Sequence, residues 1–285
     1  MEFHEPRSVS EAIALLAEND EAICLAGGAS LVAMMNARLV EPEELVSLRY
    51  IEEITGILPD RDGSVRIGAM TTHERIADYS GFRGGQSVIA LAASRIGHPA
   101  IRAMGTIGGA VSLADPAADY PPALIACGAR IEIAASAENH DVAAEDFFRG
   151  YFDTALKPGE IVTAVSVPAA VSNSGASFLK FARVEGDYAT VSVAAVVEFE
   201  GEICSQARIA VGACGPVPTR VPDAEAGLIG TRLEPEALAN ACSEIAEACN
   251  PVDDVRGTAG YRRKIIPELI RRAVHDARSK IGRAP

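Results

Sequence analysis

Two glycine pairs carry most of the chemistry this sequence offers. One lies in Leu25-Ala26-Gly27-Gly28-Ala29-Ser30-Leu31-Val32, the other in Thr106-Ile107-Gly108-Gly109-Ala110. Without a Cβ, glycine lets a ligand approach the main chain closely. A glycine turn that opens a helix also aims free amide N–H groups at an anion. Each pair neighbours a small hydroxyl residue, Ser30 or Thr106. Taken singly, such a pair only permits a tight turn. Taken together, the two read as cradles for one diphosphate-bearing cofactor, met on both faces by N–H groups and hydroxyls. Neither fits the G-x-G-x-x-G dinucleotide fingerprint, which does not occur in the chain.

Other reactive residues are sparse. Asp119, in a turn before Pro121, either accepts hydrogen bonds from sugar hydroxyls or makes an Asx-turn or helix cap. Asp115, before Pro116, reads as structural. Lys180 sits in an apolar strand, FLKFA. It either points to solvent on an edge strand or places a positive charge near a cofactor that becomes anionic on reduction. The five histidines (His4, His73, His98, His140, His275) are scattered and read as surface or capping residues, with His73 and His98 nearest the cofactor segments. None of the six cysteines is three residues from another, so no CxxC metal or redox motif exists. They read as free thiols buried in a reducing cytosol.

Composition narrows the classes further. The chain has 285 residues, 48% of them hydrophobic, and a net charge of -13 from 26 basic and 39 acidic side chains. An acidic chain lacks the basic face that nucleic acid binding needs. An anionic ligand must therefore be held by local backbone dipoles. The N-terminus lacks the basic and apolar regions of a signal peptide, and no run of about 20 apolar residues spans a membrane. These features predict a cytoplasmic protein.

The elements that must position these residues follow the usual signals. Ser8 or Ser10 caps a first helix. A strand at 22–25 runs through the first glycine bend into a helix at 30–38. Strands are expected at 44–48, 65–69, 131–134 and 161–167. Helices are expected at 72–79 (capped by Thr71 or Thr72), 87–97 and 123–127. The shift at Pro168 to Gly175 marks a domain boundary. Beyond it three β-rich runs (176–183, 190–200, 203–213) precede helices at 222–229, 234–249 and 259–281. That order makes a small α+β domain.

Four segments in this order resemble one family: LAGGASL (25–31), GAMTTHE (68–74), Gly105 to Pro122 and KFARVEGDYA (180–189). With Gly260-Tyr261-Arg262-Arg263, they look like the FAD-binding medium subunit of molybdenum hydroxylases. That group includes the carbon monoxide dehydrogenase medium chain and the FAD domain of xanthine dehydrogenase. The resemblance implies an α+β architecture. A vanillyl-alcohol-oxidase-type FAD-binding domain would span 1–172, as two α/β subdomains of about 1–55 and 56–172. A smaller domain with a three-stranded antiparallel sheet and helices would span 173–285. Leu25 to Val32 and Thr106 to Ala110 would cradle the pyrophosphate. Asp119 would hold a sugar hydroxyl, and Gly97 and Val162 would line the cofactor through their backbones. Lys180 would lie near the flavin ring, and Tyr188 would shield one face. Where the family often carries Asp or Thr at Ala29-Ser30, and Asn, Asp or Ser at Ala110, only backbone roles are implied.

The resemblance also implies a complex. A large subunit would carry molybdopterin and a small one two 2Fe-2S iron–sulfur clusters. This chain would pass electrons from its non-covalent FAD to an external acceptor: NAD, quinone or oxygen. Two rivals have the same fold: a self-sufficient flavin oxidase or dehydrogenase, and an assembly subunit that has lost FAD.

Overall fold

The computed structural model describes residues 1–282. Three main sheets follow one another along the chain. The first is parallel: Glu44–Ser47 lies between Glu2–His4 and Ala22–Leu25. The helix Val9–Glu18 makes the first crossover. Its cap is Ser8, whose hydroxyl accepts the Glu11 amide, and it buries Ala12, Ile13 and Leu16. The first glycine bend begins where Ala22–Leu25 ends. Ligands of parallel sheets collect at these carboxyl ends.

The second sheet is antiparallel, in the order Ile57–Pro59, Val65–Gly68, Ile161–Val167, Arg130–Ala134, His140–Ala143. Its central strand returns from far along the chain and brings Val162 towards the bends. Five α-helices lie between Val65–Gly68 and Arg130–Ala134: His73–Ala77, Ser87–Arg95, Pro99–Met104, Ile107–Leu113 and Tyr120–Ala126. The sequence predicts the first, second and last of these. Among the described residues, no helix is long and apolar enough to cross a membrane.

The third sheet has four antiparallel strands, not the three expected. Thr219–Arg220 adds a two-residue edge to Ser174–Phe181, Val191–Glu200 and Ile203–Gly212. Two residues are too few to show any alternation, and Pro216 and Pro218 conceal the strand further. The run Val191–Phe199 lacks alternation because both faces of the sheet are covered. Ala194 and Val196 join Ala176, Phe178 and Ala210 in the core shared with the helices of the second region. Val191, Val193, Ala195 and Val197 pack on the other side, against Pro235–Ala248 and Ala259–Ser279. The C-terminal sheet is thus built into the N-terminal core.

Candidate functional site

The two glycine bends touch. A Cβ at Gly27 would lie 1.8 Å from the Met104 carbonyl oxygen and 3.0 Å from the Gly105 Cα. A Cβ at Gly109 would lie 3.4 Å from that of Ala26. Gly27 is therefore required by the contact, whereas Gly28 is required by its own backbone, with φ +79°. The bends open onto a cavity of about 520 Å³. Of the residues singled out by sequence, Ala26, Gly27, Gly28, Ala29, Ser30, Leu31, Thr106, Gly108, Gly109, Ala110 and Val162 line it.

The bends do different work. Among the described residues, the amides from Gly27 to Leu31 have no hydrogen-bond acceptor, so they are free for a ligand. The second bend was expected to offer its amides too, but those of Ile107 to Ala110 are occupied. Ile107 donates to the Thr71 carbonyl and Gly108 to that of Ala69, at 3.1 and 2.8 Å. Ala110 donates to the Thr106 carbonyl, and Gly109 to Thr106 Oγ1, the cap of helix Ile107–Leu113. The cause is tertiary: this helix start is stitched onto residues 69–71. The second bend supplies a close, side-chain-free wall instead.

Leu25, Val32 and Ile107 do not line the cavity. Leu25 closes its strand, its carbonyl accepting from Leu48. Val32 is turned out to solvent, and Ile107 is wholly buried in the core.

Gly97, Asp119, Lys180 and Tyr188 lie outside that cavity, in a group of their own. Lys180 Nζ donates to Asp119 Oδ2 at 2.7 Å and to the Arg95 carbonyl at 2.9 Å, and both side chains are about 95% buried. Lys180 thus neither points to solvent nor stands as a free cation. Asp119 makes no helix cap, and its Oδ1 is buried without a partner. Burial pushes the Asp119 carboxyl up to about 6 despite the opposing Lys180. Asp115 is structural: its Oδ1 accepts the Ala117 amide at 2.8 Å. Gly97 takes φ +51°, and its carbonyl accepts from Arg102. A Cβ at Gly186 would lie 2.7 Å from that carbonyl, so the 182–189 loop rests on Gly97. Tyr188 is half-exposed, with the Arg256 guanidinium 5.1 Å from its ring centre.

His73, read from the sequence as a surface or capping residue near the cofactor segments, is instead buried at the cavity. It lines the cavity, its amide donates to the Gly105 carbonyl, and its Nδ1 lies 3.2 Å from the Tyr120 hydroxyl. It therefore bridges the second bend to the neighbour of Asp119. The available signal was Thr72, whose hydroxyl caps the helix that His73 begins. Burial, aided by the Arg102 charge, lowers the His73 imidazole to about 4.

The two shifts have opposite consequences for stability. The depressed His73 contributes stability that is present above pH 6.5 and lost as pH falls through about 4. The raised Asp119 contributes stability that is present below pH 3.8 and lost as pH rises through about 6. Each amounts to about 3 kcal/mol at most, so in the wild type they largely offset between pH 4 and 6. Denaturant melts across that range should therefore show His73→Gln gaining stability on acidification relative to wild type, and Asp119→Asn losing it. Parallel curves for all three proteins would contradict this.

Residues 1–170 match the family described as FAD binding domain in molybdopterin dehydrogenase, and residues 176–277 the CO dehydrogenase flavoprotein C-terminal domain. The carbon monoxide dehydrogenase medium chain of Afipia carboxidovorans is 37% identical over 98% of this chain and 97% of its own length. The nicotine 6-hydroxylase medium subunit of Paenarthrobacter nicotinovorans is 34% identical, covering 96% of each. A crystal structure of the cyanide-inactivated Cu,Mo-CO dehydrogenase aligns with TM-score 0.94 at 36% identity, over 98% of both chains. The glycine bends, their shared cavity and the full-length matches agree: this chain belongs to the FAD-binding medium-subunit family of the molybdenum hydroxylases.

Proposed function

We propose that this chain is the electron-transfer subunit of a molybdenum-containing hydroxylase or dehydrogenase. It would take electrons from 2Fe-2S clusters on a small partner subunit and pass them to an external acceptor. A molybdopterin-bearing large subunit would complete a cytoplasmic complex. The observation that carries this reading is the contact of the two glycine bends over one cavity, with unpaired amides on one side of it. The residues fit a flavin dinucleotide: amides from Gly27 to Leu31 for a pyrophosphate, and the orphaned Asp119 Oδ1 as acceptor for a hydroxyl.

FAD, when bound, supplies the redox chemistry. The chain's own work is binding, orientation and electrostatics. Lys180 carries its charge as half of an ion pair, so the positive field it directs at a ligand is much reduced. The Gly97 carbonyl and Tyr188 flank the same region from the 95–98 turn and the 182–189 loop. We assign residues 1–172 to the FAD-binding part and 173–285 to the C-terminal part. No His or Cys lies in either bend; of the cavity's own nucleophiles, burial pushes the Cys24 thiol up to about 12 and the His73 Nδ1 is engaged by the Tyr120 hydroxyl, so the flavin is held without a covalent bond.

Acid precipitation of the purified complex tests this. Stoichiometric FAD is expected in the supernatant, with the precipitated medium chain colourless. A chain without flavin, or a flavin that stays with the precipitate, overturns the assignment.

A further inference from the structure

Two of the six thiols form a pair. Cys214 follows the strand Ile203–Gly212, and Cys249 ends the helix Pro235–Ala248. Both are almost wholly buried in one apolar cluster. The Asn250 amide donates to the Cys214 carbonyl at 2.9 Å, which fixes the two segments side by side. That bond joins Cys214 to the residue after Cys249, so the two cysteines flank a single backbone hydrogen bond. Disulfides need segments this close, with Cα separations of about 4.4–6.8 Å.

We propose that Cys214 and Cys249 form a reversible disulfide under hydroperoxide stress. Cys249 is the attacking sulfur. The neighbouring Cys214 and the Arg263 charge hold its thiol below the usual range, whereas Cys214 is held above it. The Cys249 thiolate attacks one peroxide oxygen; the O–O bond breaks and a sulfenic acid forms. Cys214 sulfur then attacks the sulfenyl sulfur, the S–S bond forms, and the hydroxyl leaves as water with the Cys214 proton. Two thiols and one hydrogen peroxide give one disulfide and two waters. A dithiol reductant reverses the step. Because both thiols are almost wholly buried, the step requires the 250–258 segment, which Asp254 anchors through Arg262, to open locally.

The bond has a route to the ligand-binding region. Ala213, adjacent to Cys214, sits at φ +60°, donates to the Pro116 carbonyl at 3.1 Å and accepts from Arg262 at 2.6 Å. Its side chain packs with Ala117 and Ala189. A bridge at Cys214 therefore stiffens the backbone beside Asp119 and Tyr188. This proposal concerns the sulfur pair and holds whatever acceptor the flavin serves.

The test treats the native chain, with its partners, with hydrogen peroxide, then denatures and alkylates it. Six alkylatable thiols should fall to four, return to six after a dithiol reductant, and yield a peptide cross-linked through Cys214 and Cys249. Cys214→Ser and Cys249→Ser should each abolish the cross-link. Hydrogen exchange over residues 116–120 should slow in the oxidised wild type. Six thiols remaining, oxidation of Cys249 without the bridge, or a cross-link between other cysteines would overturn the proposal. Unchanged exchange at 116–120 would overturn its reach to the site.

Discussion

Gly27→Ala is expected to abolish flavin retention. The new Cβ would sit 1.8 Å from the Met104 carbonyl oxygen, well inside van der Waals contact. Both partners are backbone, so no rotamer change relieves the clash, and the two bends must part. Overpacking of this kind costs about 1–3 kcal/mol of stability. The cofactor loses more, because its amides and its opposite wall no longer share one geometry. A loss of about 3 kcal/mol corresponds to a roughly 100-fold weaker dissociation constant. The readout is flavin content after gel filtration, alongside circular dichroism to show that the fold survives. Gly260→Ala is the matched control: its Cβ meets nothing within 4 Å, and it lies in a helix where alanine is favoured. A Gly27→Ala chain that keeps stoichiometric FAD at wild-type affinity would remove the basis of the binding assignment.

Lys180→Met should be the most destabilising single change. It leaves the Asp119 carboxylate about 95% buried with neither oxygen partnered. Breaking a buried pair this way costs about 3–5 kcal/mol, a large share of a typical domain's stability. The deficit should shrink on acidification. Asp119 already titrates at about 6 beside Lys180, and without that cation its carboxyl rises further. A raised carboxyl gains stability as pH falls, so urea midpoints of variant and wild type should converge between pH 8 and 5. The double variant Lys180→Met/Asp119→Asn should recover part of the loss at pH 8, because no charge is then stranded. A Lys180→Met loss below about 1 kcal/mol, or one independent of pH, would mean that the pair is solvated in solution.

Both experiments probe residues that were conspicuous in the sequence, yet for reasons the sequence did not contain. Gly27 was read as a turn residue with open backbone; its strictest constraint comes from Met104, far along the chain. Lys180 was read as an edge-strand charge or a cofactor partner. Its real neighbour is Asp119, 61 residues away, and such pairing carries no periodicity to detect. The amides of residues 107–110 looked free because a glycine-rich run shows no acceptors of its own. The acceptors are carbonyls of residues 69, 71 and 106. The short strands Glu2–His4, Ile57–Pro59 and His140–Ala143 and the helix Pro99–Met104 were invisible for a related cause: segments this short hold fewer than about two and a half repeats, too few to establish a period.

By itself the sequence determined what is local. It offered Ser8 or Ser10 and Thr71 or Thr72 as caps, of which Ser8 and Thr72 serve, and it placed the glycine bends and the β-rich runs beyond residue 175. Acidic charge and cysteine spacing argued against nucleic acid and against a cluster bound by this chain alone. Only the tertiary structure decided which bend keeps its amides free, which carboxylate oxygen is left without a partner, and that His73 enters the cavity. The reason is physical: propensity and capping act over a few residues, whereas hydrogen-bond satisfaction and desolvation are set by whatever the folded chain brings alongside.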